Sequence, residues 1–167
     1  SLSELVKAIK GITLMSKELD TMYFALTNGV VPPNWEKVAY PSLKPFASWF
    51  LDLIERVTFM RNWLVKGEPP CFWMSGFFFP HGFMTGVLQT HARKEQIAID
   101  KLNFSFKTLD EDWTTIEESP EAGVYVYGLF FDGARWDEEA GMIAEQFPGI
   151  LYYKAPTIWF EPIEGYK

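Results

Sequence analysis

The apolar residues of this 167-residue polypeptide change their spacing once, and that change bounds the folds open to it. From Leu2 to about Lys94 they recur every three or four positions, and beyond it they alternate. The first spacing lays side chains along one stripe of a helix, the second along one face of a strand. Leu2, Leu5, Ile9, Ile12, Met15, Leu19, Met22 and Leu26 predict one long amphipathic helix, ended by Gly29 and Pro32-Pro33. Gly11 inside it costs about 1 kcal/mol relative to alanine, which so long a stripe offsets. A second helix opens with Ser42 as N-cap and Pro45 in its first turn. Phe46, Phe50, Leu53, Val57, Met60 and Leu64 carry its stripe, Trp49, Phe59 and Trp63 widen it, and Gly67 with Pro69-Pro70 closes it. A third helix, with Phe83, Met84, Val87, Leu88 and His91 on one face, runs from near Gly82 to about Lys94.

From there Leu102, Phe104 and Phe106 alternate with Asn103, Ser105 and Lys107, the pattern of a half-buried strand. Residues 123–131 (GVYVYGLFF) form a β-rich run, and residues 151–162 read as two further strands around Pro156. Residues 134–147 show no decisive period. Helices first and strands afterwards predict an α+β architecture with segregated layers.

One stretch resists that simple reading. Cys71 to Gly86, CFWMSGFFFPHGFMTG, packs six aromatic residues and two methionines into sixteen positions, with no Asp, Glu, Lys or Arg between Glu68 and Arg93. A spanning helix needs about 20 continuous apolar residues. Gly76, Pro80, His81, Gly82 and Gly86 interrupt the run instead, so a buried strand or loop followed by a core helix is expected, with no membrane partner. The whole sequence is 17% aromatic with seven tryptophans, well above ordinary usage.

Charge divides unevenly. Residues 1–107 hold 12 Lys and Arg against 9 Asp and Glu, and residues 108–167 hold 3 against 13. Neither part offers the basic stripe that a phosphate backbone demands, so nucleic acid is not an expected partner. The acidic part reads as a solvated surface, or as a docking face for a basic partner. The single cysteine, Cys71, and the absence of a signal-type start point to a reducing compartment. A start at Ser1 without methionine suggests an excised piece of a longer protein.

The sequence offers little to conventional chemistry. No glycine-rich loop ending in lysine and a hydroxyl residue is present, so no nucleotide cofactor is expected. Cys71, His81 and His91 are too few and too widely spaced for a closed metal shell. Cys71 reads as a small buried hydrophobe, and Ser75 or Cys71 with a histidine lacks an orienting carboxylate nearby in sequence. The best enzymatic alternative is a glycan-binding or glycan-cleaving module. Asp110, Glu111 and Asp112 precede Trp113, and Asp137, Glu138 and Glu139 follow Trp136, which supplies carboxylates and aromatic platforms together. Adjacent carboxylates are more often solvated turns than tuned acid and base pairs.

Three long motifs in fixed order then carry a resemblance: residues 35–64 (WEKVAYPSLKPFASWFLDLIERVTFMRNWL), 72–94 (FWMSGFFFPHGFMTGVLQTHARK) and 123–137 (GVYVYGLFFDGARWD). With the first helix and APTIWFEP at 155–162, they cover nearly the whole sequence. They resemble the carboxy-terminal domain of dynein heavy chains, most closely those of the axonemal, ciliary and flagellar type. The resemblance implies an N-terminal α-helical bundle, residues 1–96, followed by an incomplete antiparallel β-barrel, residues 97–167. Family members continue with further strands, so the barrel is expected to be cut short at its carboxy end. It implies a non-catalytic module of a microtubule motor that packs on the AAA+ ring of its own heavy chain and modulates motor output in ciliary movement. Other dynein subunits are implied partners, the axonemal cytoskeleton is the implied location, and no catalytic, cofactor or metal residue is implied.

Within that frame Phe72, Trp73, Phe77, Phe78 and Phe79 are expected at the structural junction of bundle and barrel. Alternate rings would meet two different packing surfaces there, one of them in the larger motor.

Overall fold

The computed structural model describes residues 1–165; Tyr166 and Lys167, the end of the expected barrel part, lie outside the described residues. The protein is α+β, with five helices and eight strands among the described residues. It divides into two compact units, Ser1–Thr58 and the remainder from Phe59 onward.

The first unit begins with a break where one continuous helix was expected. Helix α1 is Leu2–Ile9 and α2 is Lys17–Thr27. Gly11 adopts φ +72°, and the amides of Gly11 and Ile12 donate to the carbonyls of Ala8 and Lys7. This pair of bonds closes a helix through a left-handed glycine, so Gly11 is a terminator, not a tolerated interior residue. Gly29 ends α2 the same way, with φ +69° and bonds from Gly29 and Val30 to Leu26 and Ala25. Ser16 restarts the helical path, its side chain accepting from the Leu19 amide at 3.2 Å.

A short helix α3, Pro33–Glu36, leads to α4, Phe46–Lys66. Ser42 does not cap α4: its hydroxyl accepts from the Lys44 amide at 3.2 Å, and the helix opens four residues later, with the Pro45 carbonyl accepting from Trp49. Proline has no N–H to lose at a helix start, which favours that entry. Leu5, Ala8, Met22, Tyr40 and Trp49 are buried in this unit, and Trp35 and Tyr40 each stack on Trp49 near 6 Å.

The second unit carries the sheets. Strand β1 (Cys71–Trp73), β3 (Val124–Tyr127), β8 (Ile158–Glu164) and β2 (Leu102–Thr108) form one four-stranded sheet in that order. β1, which precedes the segment expected to be antiparallel, pairs with β3 in parallel, Phe72 opposite Val126; β8 pairs antiparallel with β3 and β2. A parallel strand needs a long crossover, and helix α5 (Pro80–Glu95) with β2 supplies it between β1 and β3. The β-rich run from Gly123 is cut at Gly128, φ +80°, so that β4 (Phe130–Asp132) leaves the main sheet and pairs with β7 (Tyr152–Lys154). Residues 134–147, without a clear period in sequence, form the hairpin of β5 (Ala134–Asp137) and β6 (Met142–Glu145). The sheets do not close into a barrel among the described residues.

Pro162 lies in β8 beyond the last residue paired with β3, so its missing N–H interrupts no ladder on that side. The core of this unit is Phe72, Met74, Val124 and Val126, covered by Phe59 and Trp63 of α4 and by Phe83, Met84 and Val87 of α5.

Candidate functional site

The five rings expected at a junction separate into buried and exposed members. Phe72 is 2% exposed and Trp73 and Phe77 are half-buried, whereas Phe78 and Phe79 are 63% and 68% exposed. The reason lies in the backbone. β1 carries Phe72 into the core, a single turn at Met74–Gly76 follows, and Pro80 at the first turn of α5 fixes the exit. Between turn and helix, Phe77 is extended, Phe78 sits in a bend and Phe79 is the residue before α5, so Phe77 packs on the core while the two rings after it stay in solvent.

The inward rings join a cluster whose other members come from the helices. Trp63 meets Phe72 edge-on at 5.0 Å, Phe83 lies 4.8 Å from Phe72, and Phe77 stacks on Phe83 at 4.3 Å with 18° between planes. Phe59 meets both Trp73 and Phe77 edge-on. Offset and edge-to-face pairs of this kind add about 0.5–1.5 kcal/mol each beyond burial. Sequence reasoning did not include Phe59, Trp63 and Phe83 in the cluster, although their three-and-four spacing along α4 and α5 was the available signal.

The isolated candidates for chemistry are dispersed or inert. Burial, reinforced by the charge of Asp112, pushes the Cys71 thiol up to about 11, away from a reactive thiolate. His81 and His91 lie ten residues apart on α5, a separation of about 15 Å along the axis that no single metal ion bridges. Among the described residues, no group of three or more His, Cys, Asp or Glu is placed to hold a metal, and no helix is long and apolar enough to cross a membrane.

The acidic clusters do meet. Asp110, Glu111, Asp112 and Glu138 line one cavity of about 600 Å3 together with Trp113 and Trp136, while Asp137 and Glu139 are not among its lining residues. The carboxylates are nonetheless tied as turn and ion-pair anchors. Asp112 accepts from the Thr114 amide at 3.0 Å and hydroxyl at 2.7 Å, which hold it below the usual carboxylate range. Asp137 is lowered likewise by the Ala140 amide and by Arg135 at 2.8 Å. Glycoside cleavage divides labour between one raised and one ordinary carboxyl group. Both resolved shifts here run downward, so the glycan reading gains no support from this geometry.

Comparison with known proteins agrees with the family resemblance. The family profile that describes the C-terminal domain of the dynein heavy chain matches residues 1–167. Dynein axonemal heavy chain 1 of Mus musculus is 50% identical over 162 residues, covering 97% of this sequence and 4% of that protein. Dynein axonemal heavy chain 3 of Mus musculus is 46% identical over 99% of this sequence and 4% of its own length, and dynein axonemal heavy chain 12 of Homo sapiens 44% over 98% and 5%. The 167 residues thus span about one twentieth of the curated relatives they match. None of these matches supports a glycan-binding or glycan-cleaving module.

Proposed function

The protein belongs to the family of C-terminal domains of dynein heavy chains, and from that premise we propose that it is a non-catalytic regulatory module of an axonemal motor. In this reading it packs on the AAA+ ring of its own heavy chain and modulates motor output in ciliary or flagellar movement. ATP turnover belongs to other modules of the same heavy chain, and further dynein subunits are its neighbours in the axoneme. Residues 1–96 act as a helical bundle and residues 97–167 as an incomplete barrel, with β1 reaching across that division to pair with β3.

The observation that carries the proposal is the exposure of Phe78 and Phe79, next to Phe77 that packs on the buried core. Two adjacent phenylalanines left in solvent are costly in a free domain and useful at an interface. They mark the face offered to the ring. The bend after Phe77 leaves that ring with the core and gives the two rings that follow to the partner.

The test is an intact axonemal motor carrying Phe78→Ser and Phe79→Ser, with stepping and ATP turnover measured on the same preparation. Altered velocity or force with turnover preserved is the expected result. Unchanged coupling in the double variant, or loss of turnover equal to loss of movement, overturns the regulatory reading.

A further inference from the structure

The cavity that collects the acidic clusters has walls that the glycan reading leaves unexplained. Besides Trp113 and Trp136 it is lined by Tyr127 and Tyr153, and all four rings are half-buried. Trp113 lies flat on Tyr127 at 4.0 Å with 5° between planes, which fixes both rings. The Tyr153 hydroxyl accepts from the Phe147 amide at 3.2 Å, which anchors the third ring.

Aromatic faces carry negative charge density and attract cations, more strongly where water is partly displaced. Acidic side chains on the same walls reinforce that preference and repel anions. The lining of this cavity includes one cationic side chain, Lys154, whose ammonium sits 4.0 Å from the Asp112 carboxylate with both groups more than half exposed. That contact is long and solvated, and competition displaces it readily. Among the described residues, no ion pair or hydrogen bond engages the side chains of Asp110, Glu111 or Glu138. Residues 108–167 carry 13 acidic against 3 basic side chains, so the field around the cavity draws positive partners.

We propose that this cavity is a docking site for a basic segment of a partner protein, which seats a lysine or arginine side chain among the four rings. Charge complementarity selects a cationic partner over an anionic one, and the ring walls distinguish a side chain with an apolar stem from a bare metal ion. Lys154 occupies the acidic rim until the partner arrives. The proposal does not depend on the ring-packing reading, because it concerns β5, β7 and the loop before β3, away from Phe78 and Phe79 in sequence.

The test titrates the 167-residue protein with the peptide acetyl-Gly-Arg-Gly-Lys-Gly-amide, read by tryptophan fluorescence and calorimetry, against the same peptide with glutamate at both basic positions. Saturable binding of the basic peptide alone, weakening as salt is added, is expected. Glu111→Gln and Glu138→Gln, exposed changes that leave the rings in place, each weaken it about twofold to fivefold. Trp136→Ala weakens it about threefold to thirtyfold, and Lys154→Gln tightens it by removing the internal competitor. No saturable signal, equal binding of the glutamate peptide, or affinity unchanged in the two glutamine variants overturns the proposal. Saturation by tetramethylammonium chloride without binding of the peptide also overturns it, and assigns the cavity to a small cation.

Discussion

Gly128 lies flat against the indole of Trp73, so near that a Cβ at that position would overlap the ring carbon Cδ1. Gly76 presses the same ring from elsewhere, where a Cβ would come within 2.5 Å of Cε3. Trp73 thus occupies a slot made by two missing side chains. One of them, Gly128, also takes φ +80°, the turn that parts β3 from β4.

Gly128→Ala is expected to destabilise the protein by about 1–3 kcal/mol, because overpacking and left-handed strain act at one position. Urea unfolding followed by tryptophan fluorescence reads the change. A loss under about 0.5 kcal/mol, with Trp73 emission unaltered, would show that the slot opens freely.

The ring cluster separates stability from surface. Phe72→Ala removes a side chain that is 2% exposed and touches Trp63 and Phe83, with an expected cost of about 3–5 kcal/mol. Phe78→Ser, at a ring 63% exposed, changes stability by no more than about 0.5 kcal/mol. Parallel denaturation curves of the two variants decide the matter, and equal losses would mean that Phe78 belongs to the core.

Much of the fold was legible because burial writes itself into spacing. The α5 face and the helix-before-strand order follow from which faces meet the core, whereas the expected α4 stripe does not: Trp49 and Asp52 are its buried residues, and Phe50, Val57 and Leu64 are exposed, as is Phe106 of β2. The break at Gly11 was not legible from that spacing, since the apolar stripe continues across it through Ile12 and Met15. Gly29 was identified as a terminator through the prolines that follow it, whereas Gly11 uses the same two hydrogen bonds with no proline beyond. The β5–β6 hairpin escaped notice for a different reason. Its strands are four residues each, β5 half-buried throughout and β6 mostly exposed, so neither shows an alternation of buried and exposed residues. The parallel pairing of β1 depends on a contact 54 positions away, Phe72 with Val126, which local pattern does not encode. The acidic residues around Trp113 and Trp136 were visible as clusters, but Tyr127 and Tyr153 join them only through strand pairing.

Asp52 makes stability depend on acidity. It is 7% exposed on α4, bound by Arg56 at 2.8 Å and by Lys44 at 3.0 Å. Burial pushes its carboxyl up, but hydrogen bonds from Arg56, Tyr40 and Lys44 outweigh it and hold the group below its ordinary value of 3.8. A depressed folded value means that the contribution is complete above the unfolded value and fades as pH falls through the folded one. Asp52→Asn should therefore cost about 3 kcal/mol near neutrality, because it removes the buried charge that Arg56 and Lys44 bind. The gap between wild type and variant should shrink as the solution is taken below pH 3.8. Guanidinium unfolding across that range tests it, and a gap that stays constant would remove Asp52 from the linkage.

Gly86 offers a gain instead of a loss. It sits inside α5 with an ordinary helical backbone, and a Cβ there would meet nothing within 4 Å. Alanine at such a position restricts the unfolded state without straining the native one, so Gly86→Ala should stabilise by about 0.5–1 kcal/mol. Gly82, four residues earlier, is the control: its Cβ would come within 2.7 Å of the Phe79 ring, which must then shift. That shift matters, because Phe79 is one of the two rings proposed to face the motor ring. Gly82→Ala is expected to disturb motor coupling while Gly86→Ala leaves it intact, and thermal unfolding beside the motility assay distinguishes the two. Equal behaviour of both variants in motility would show that the placement of the Phe79 ring does not matter for coupling.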